Sequence, residues 1–231
     1  MSWRDFWNGE HKIYVNARHH RLHFDLIGRD ICDLIKSPTT HMLDYGCGEA
    51  GAAQLIASKC ERLYLFDTAP NVRAKLKQDF ADHSKIQILD EPELSQLADH
   101  SLDLIVINSV VQYLSHGECG DALDLCKRKL KAEGRLIIGD VIPKDSGALG
   151  DITALFGFAI TGGFFIAACL GLLATFFSDY RKLRSSIGLT RYREEEALVL
   201  LSKHGWSAER APHNIGHNQT RMTFVAKSVG A

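Results

Sequence analysis

Apolar positions recur at helical spacing through Leu22, Leu26, Ile27, Ile31, Leu34 and Ile35 and stop at Ser37-Pro38. This pattern predicts an amphipathic helix over Asn16 to Lys36, lying as a layer against a core. From His41 the period changes to short apolar runs separated by helical segments. Met42 to Tyr45 reads as a strand, followed by a glycine cluster and a small-residue helix from Ala50 to Lys59. Arg62 to Phe66 is a second strand ending in Asp67, and Pro70 opens a helix carrying Val72, Leu76 and Phe80. The rhythm repeats with Lys85 to Leu89, a short acidic connection, Leu102 to Ile107, a helix from about Gly117 to Lys131, and Gly134 to Asp140. Alternating βα units of this length predict a doubly wound, Rossmann-like α/β fold with helices on both faces of a mainly parallel sheet.

After Pro143 the rhythm breaks. Ile152 to Ser178 is a 27-residue stretch without a charged residue, holding six of the eleven phenylalanines. As one helix it would reach ~40 Å at ~1.5 Å per residue, enough to cross a bilayer. Gly162-Gly163 lies near its middle, however, and a single span would part the last helix and strands from the sheet they complete. The stretch is therefore read as a helical lid or hairpin, within an apolar insertion at 144–190. A buried helix pair, a homodimer interface, a greasy acceptor pocket and a membrane-surface contact are the roles left open, the last with Arg181, Lys182 and Arg184 meeting anionic head groups. A helix from Glu194 to His204 and two strands, Trp206 to Ala211 and Thr220 to Lys227, close the chain. Joined by the turn Pro212 to Gln219, these strands predict an antiparallel hairpin at the sheet edge, a seven-stranded sheet and a single domain over 1–231.

Charge narrows the function classes. The 27 Lys+Arg residues balance 28 Asp+Glu, a formal charge of −1, so no basic field points to nucleic acid. Six cysteines (Cys32, Cys47, Cys60, Cys119, Cys126 and Cys169) include no CxxC pair and no zinc-ligand spacing. This usage suits reduced thiols in the cytoplasm. The first ten residues place acids where a signal peptide needs an apolar run, so export by that route is not expected.

The candidate chemistry begins at Asp44-Tyr-Gly46-Cys47-Gly48-Glu-Ala-Gly51, a literal GxGxxG spacing, with Asp67 lying 23 positions after Asp44. A strand ending in such a turn lets a ligand lie against bare backbone, and a carboxylate on the next strand can grip two ribose hydroxyls. Asp44 separates two cofactors. It would repel the pyrophosphate of a dinucleotide, but it suits the ammonium and sulfonium of S-adenosylmethionine.

Leu43-Asp-Tyr-Gly-Cys-Gly48 resembles the first motif of the class I S-adenosylmethionine-dependent methyltransferases, of the type 11 kind, and Leu65-Phe-Asp67 resembles the second. Ser101 to Asn108 is similar to the family's fourth strand, and Leu130 to Ile138 to its fifth-strand element, so the resemblance covers roughly 40–142. One departure is that the family's third glycine falls at Ala50, with Gly51 one position later. The resemblance implies that S-adenosylmethionine is held by Asp44, Gly46, Cys47, Gly48, Asp67, Thr68, Asp90 near the adenine, and Asn108. It also implies an N-terminal helical cover over 1–40, with Tyr14 and Arg18 closing the methionine end, and a structural role for Asp103.

Methyl transfer is an in-line displacement, so the protein mainly aligns the partners and excludes water. Histidine suits the removal of an acceptor's proton, and His19, His217 and Tyr14 are the catalytic candidates. Cys47 is expected to pack rather than react, and His19, His20 and His23, lacking a third ligand, suggest no metal site. The expected activity is methyl transfer to a small or lipid-like acceptor. A nicotinamide-dependent oxidoreductase and a non-catalytic scaffold docking through the apolar insertion are the alternatives.

Overall fold

A computed structural model describes residues 3–9, 14–176 and 189–229. Its seven strands are β1 (His41–Tyr45), β2 (Arg62–Phe66), β3 (Ile86–Leu89), β4 (Leu102–Asn108), β5 (Leu130–Val141), β6 (Trp206–Arg210) and β7 (Met222–Ser228). They form one sheet in the order β3-β2-β1-β4-β5-β7-β6. Neighbours from β3 to β5 pair parallel, and β7 runs antiparallel to both β5 and β6. The predicted closing hairpin thus exists, with β6 as the edge.

Both faces of the sheet are buried, as continuous apolar strands require. Successive residues divide between the two faces. Leu43, Ile105 and Ile107 pack with Leu123, Leu201 and Trp206, whereas Met42, Leu104 and Val106 pack with Ile56, Leu63 and Leu65. Asp103 is structural, as expected: its carboxylate accepts from the His41 backbone N–H at 2.8 Å and from Lys131 at 2.7 Å, locking β4 to the start of β1.

The helices are α1 (Trp3–Trp7), α2 (Ala17–Leu34), α3 (Ala53–Ala57), α4 (Pro70–Asp79), α5 (Glu91–Gln96), α6 (His116–Lys129), α7 (Ala148–Gly162), α8 (Phe165–Phe176) and α9 (Glu194–Lys203). Asn16 caps α2 by accepting from the His19 N–H at 2.8 Å. Two expectations need correction. The acidic connection after β3 contains α5, started by a capping box in which Asp90 and Glu93 each accept the other's backbone N–H. The helix expected over Ala50 to Lys59 is only α3, because Ala50 takes a left-handed φ of 47° and keeps the chain in a turn.

The uncharged stretch folds as two helices that break at Gly163, whose φ of 69° ends α7. Their inner side, Ala159, Phe164 and Ala168, packs with Val15 and Leu22 of the N-terminal layer. The Arg18 guanidinium donates to the carbonyl of Gly162. No described helix is long and apolar enough to cross a membrane. Arg181, Lys182 and Arg184 lie outside the described residues.

Candidate cofactor and active site

The strand order reverses between β1 and β4, and a crevice at the carboxyl ends of these strands is where an open α/β sheet binds its ligand. A cavity of about 1390 Å³ opens there, walled by α1, α2, the glycine turn, the β2 tip and the segment after β4. The turn is built from backbone bonds: the N–H groups of Gly46 and Cys47 both donate to the Phe66 carbonyl, at 2.7 and 3.1 Å. Gly46 has a φ of 80°, and a Cβ there would sit 2.4 Å from Val110. Gly48, at a φ of 54°, differs. A Cβ added to it meets nothing within 4 Å, so its bare backbone faces open space.

Asp67 stands at the tip of β2 with its carboxylate fixed from two sides. One oxygen accepts from the Gly48 N–H at 3.0 Å and the other from the Ala69 N–H at 2.8 Å, which leaves lone pairs on both for a ligand. Burial raises its pKa, opposed by those same N–H groups. Asp44 is half-buried in the cavity wall, and burial together with the nearby Asp67 pushes its carboxyl up to about 7. Burial, Asp44 and Asp67 also hold the Cys47 thiol well above its ordinary value. It is therefore an inert wall residue, not a nucleophile. Thr68 lines the same end.

Asn108, at the tip of β4, lines the cavity, and its buried Oδ1 has no hydrogen-bond partner among the described residues. That oxygen packs against Gly139, where a Cβ would stand 2.4 Å from it. Ser109 follows with a left-handed φ of 59°, and its hydroxyl donates at 2.8 Å to Asp140, which sits at φ 57° just beyond the paired residue Gly139.

At the other end, Tyr14, His23 and Phe24 line the wall. His19 and His217 are not wall residues: His19 stacks on Phe164 with ring centroids 4.8 Å apart, and His217 stacks on Phe158 at the same distance. Both serve to join α2 and the 212–219 turn to the apolar helices. The histidine that reaches the cavity is His23, with His217 behind it at 5.9 Å. Its sequence signal was its place one turn after His19 and His20 on the face bearing Phe24 and Ile27. Burial is the main cause that keeps all three neutral, lowering His19 to about 4 and His23 to about 3, with His217 also lowered. Tyr14 is raised by burial and Glu49, so its hydroxyl keeps its proton.

One Asp90 carboxylate oxygen caps α5 by accepting the Glu93 N–H, and the next residues on, Glu91 and Leu94, line the cavity. Among the described side chains, none of α7 or α8 lines the cavity. Instead α1 contributes Trp3, Arg4 and Trp7, held by stacking of Trp3 on Tyr113 and by an Arg4–Glu118 ion pair.

A parallel sheet with an antiparallel β7, a glycine turn and a β2-tip carboxylate define a class I methyltransferase fold. Residues 43–138 match the family described as a methyltransferase domain. The chain has the fold of the class I S-adenosylmethionine-dependent methyltransferases. Among solved structures it is similar to human N-acetylserotonin methyltransferase in complex with S-adenosylmethionine (TM-score 0.60, 15% identity, covering 92% of this chain and 55% of that one). It is also similar to a methyltransferase from Aquifex aeolicus (TM-score 0.58, 15% identity, 91% and 93%). A third is the magnesium protoporphyrin IX methyltransferase of Synechocystis PCC 6803 with bound S-adenosylhomocysteine (TM-score 0.55, 15% identity, 98% and 92%). The chain spans little more than half the length of the human enzyme. No curated protein matches it significantly.

Proposed function

We propose that the protein binds S-adenosylmethionine in this cavity and methylates a small, uncharged acceptor, with lipid-like molecules included in that class. The observation that carries the reading is the arrangement of Asp67 and Asp44 on either side of the open Gly48 backbone. A nucleotide pyrophosphate would meet two carboxylates there, whereas an adenosyl ribose and an ammonium meet complementary groups.

The bound cofactor supplies an electrophilic methyl group on a sulfonium. The chain's own residues do the rest. Asp67, fixed by two backbone N–H groups, accepts the ribose hydroxyls. Asp44 ionises against the ammonium, and the Asn108 side chain at the cavity wall offers its amide to cofactor or acceptor. Cys47 and Thr68 shape the cradle. His23, neutral at ordinary pH, accepts a hydrogen bond from the acceptor's hydroxyl or amine and orients it; held near 3 it is too weak a base to keep the proton, which passes to water as the new bond forms. Tyr14 acts as a hydrogen-bond donor, while His19 and His217 position His23 by packing. Phe24, Ile27 and Val110 exclude water.

The test is transfer of labelled methyl from S-adenosylmethionine to a panel of phenols, aromatic amines and long-chain alcohols. Organic-extractable product that falls sharply with His23→Ala, while S-adenosylhomocysteine affinity stays unchanged, supports the reading. Undiminished turnover in that variant removes His23 from the reaction, and no transfer to any class removes the acceptor proposal.

A further inference from the structure

α8 is apolar all round in sequence, yet over 165–170 only one side of it is covered. Phe164 and Ala168 face inward, while Phe165, Ile166 and Leu170 stand 42%, 78% and 63% exposed, and Ile160 across the turn is 65% exposed. These are four of the seven large hydrophobic residues exposed in the described protein, gathered on one hairpin tip. A helix without a polar face belongs in a core or in lipid, and a gathered patch of this kind marks an interaction site. None of these four exposed residues lines the cavity.

Charge selects the occupant. No charged residue occurs from Ile152 to Phe176, but Arg18 reaches the Gly162 carbonyl at the turn, and the exposed Arg21 lies on the same face of α2, three residues on. In sequence, Arg181, Lys182 and Arg184 follow α8 against a single acid, Asp179. We infer that the Ile160–Leu170 tip enters the surface of an anionic lipid bilayer, with Arg18 and Arg21 meeting the head groups. The helices, of 15 and 12 residues, measure ~22 and ~18 Å at ~1.5 Å per residue, too short for the ~30 Å hydrocarbon core, so the hairpin docks without spanning. A second copy of the chain is the less favoured occupant, because a two-fold contact through the tip would bring arginines toward arginines and offers no polar side chain to pair across it. The one hydroxyl near the turn, on Thr161, already donates within its own helix.

The inference does not depend on the acceptor, and it is tested without one. The full chain is sedimented with vesicles of phosphatidylcholine mixed with phosphatidylglycerol, and with vesicles of phosphatidylcholine alone. The expected result is binding to the mixed vesicles only, abolished in the double variant Ile166→Asp with Leu170→Asp and weakened roughly fivefold by Arg21→Gln. S-adenosylhomocysteine titration of each variant shows that the fold and the cofactor site are intact, so a failure here is separable from a failure of the methyltransferase reading. Equal binding to both vesicle types, no binding to either, or dimerisation that the aspartates abolish without any vesicle binding would each overturn it.

Discussion

Gly51 lies against the ring of Phe24: a Cβ built on it would stand 2.6 Å from Phe24 Cγ. This contact sets the glycine turn against α2, and it explains the displaced third glycine of the motif. Ala50 occupies the expected glycine position in a left-handed backbone, while Gly51 is demanded by packing. Gly51→Ala should therefore cost about 1–3 kcal/mol through overpacking. Ala50→Gly, which trades a buried methyl for a relaxed backbone, should stay within about 1 kcal/mol of the wild type. Denaturant unfolding of the two variants checks the order, and the reverse order would contradict it.

Asp44 makes the ligand-free protein sensitive to pH. Its folded pKa of about 7 lies above that of the unfolded carboxyl, so the folded state binds the extra proton between the two values. Stability is thus greatest on the acid side and falls as pH rises toward about 7. Asp44→Asn should raise the Tm of the ligand-free protein above that pH and flatten the slope, while weakening S-adenosylhomocysteine about tenfold or more by removing a charged hydrogen-bond partner. In the wild type, affinity should rise as pH passes about 7. Thermal melts and titrations across that range measure both effects.

The histidine cluster has the opposite sign. His19 and His23 are held near 4 and 3, below the ordinary value of 6.5, so the unfolded chain binds more protons in acid. Their contribution is present above 6.5 and is lost as pH falls through 4 and 3. Replacing His19 with Phe, which keeps the stack on Phe164, should make the acid side of the Tm profile shallower. An unchanged slope would show that His19 does not titrate this way.

Asn108→Ala tests the side-chain amide at the cavity wall. Because Oδ1 has no partner among the described residues, its loss should cost little stability. Ligand affinity should fall several-fold, from one hydrogen bond of about 1 kcal/mol. Calorimetric titration beside denaturant unfolding separates the two, and a large stability loss with unchanged affinity would give Asn108 a structural role instead.

The glycine turn and the β2-tip carboxylate were legible because their geometry is local. A turn that requires left-handed glycines and a carboxylate at the next strand tip are both set within a few residues, and Gly46, Gly48 and Asp67 stand where their motif put them. The α5 helix was overlooked although Asp90, Pro92 and Glu93 spell its start. The histidines were harder, since which member of a helical trio faces a cavity depends on how α2 rotates against α7 and the 212–219 turn, a tertiary fact. His19 and His23, four residues apart, differ in just this respect. The apolar stretch showed its unusual composition but not which side would be left uncovered.

The most direct test of the account is calorimetric titration with S-adenosylhomocysteine, NADH and NADPH, for the wild type and for Asp67→Ala. The account predicts binding of S-adenosylhomocysteine alone, with loss of that binding when the Asp67 carboxylate is removed. Binding of a nicotinamide instead, or S-adenosylhomocysteine affinity that survives Asp67→Ala, would contradict it.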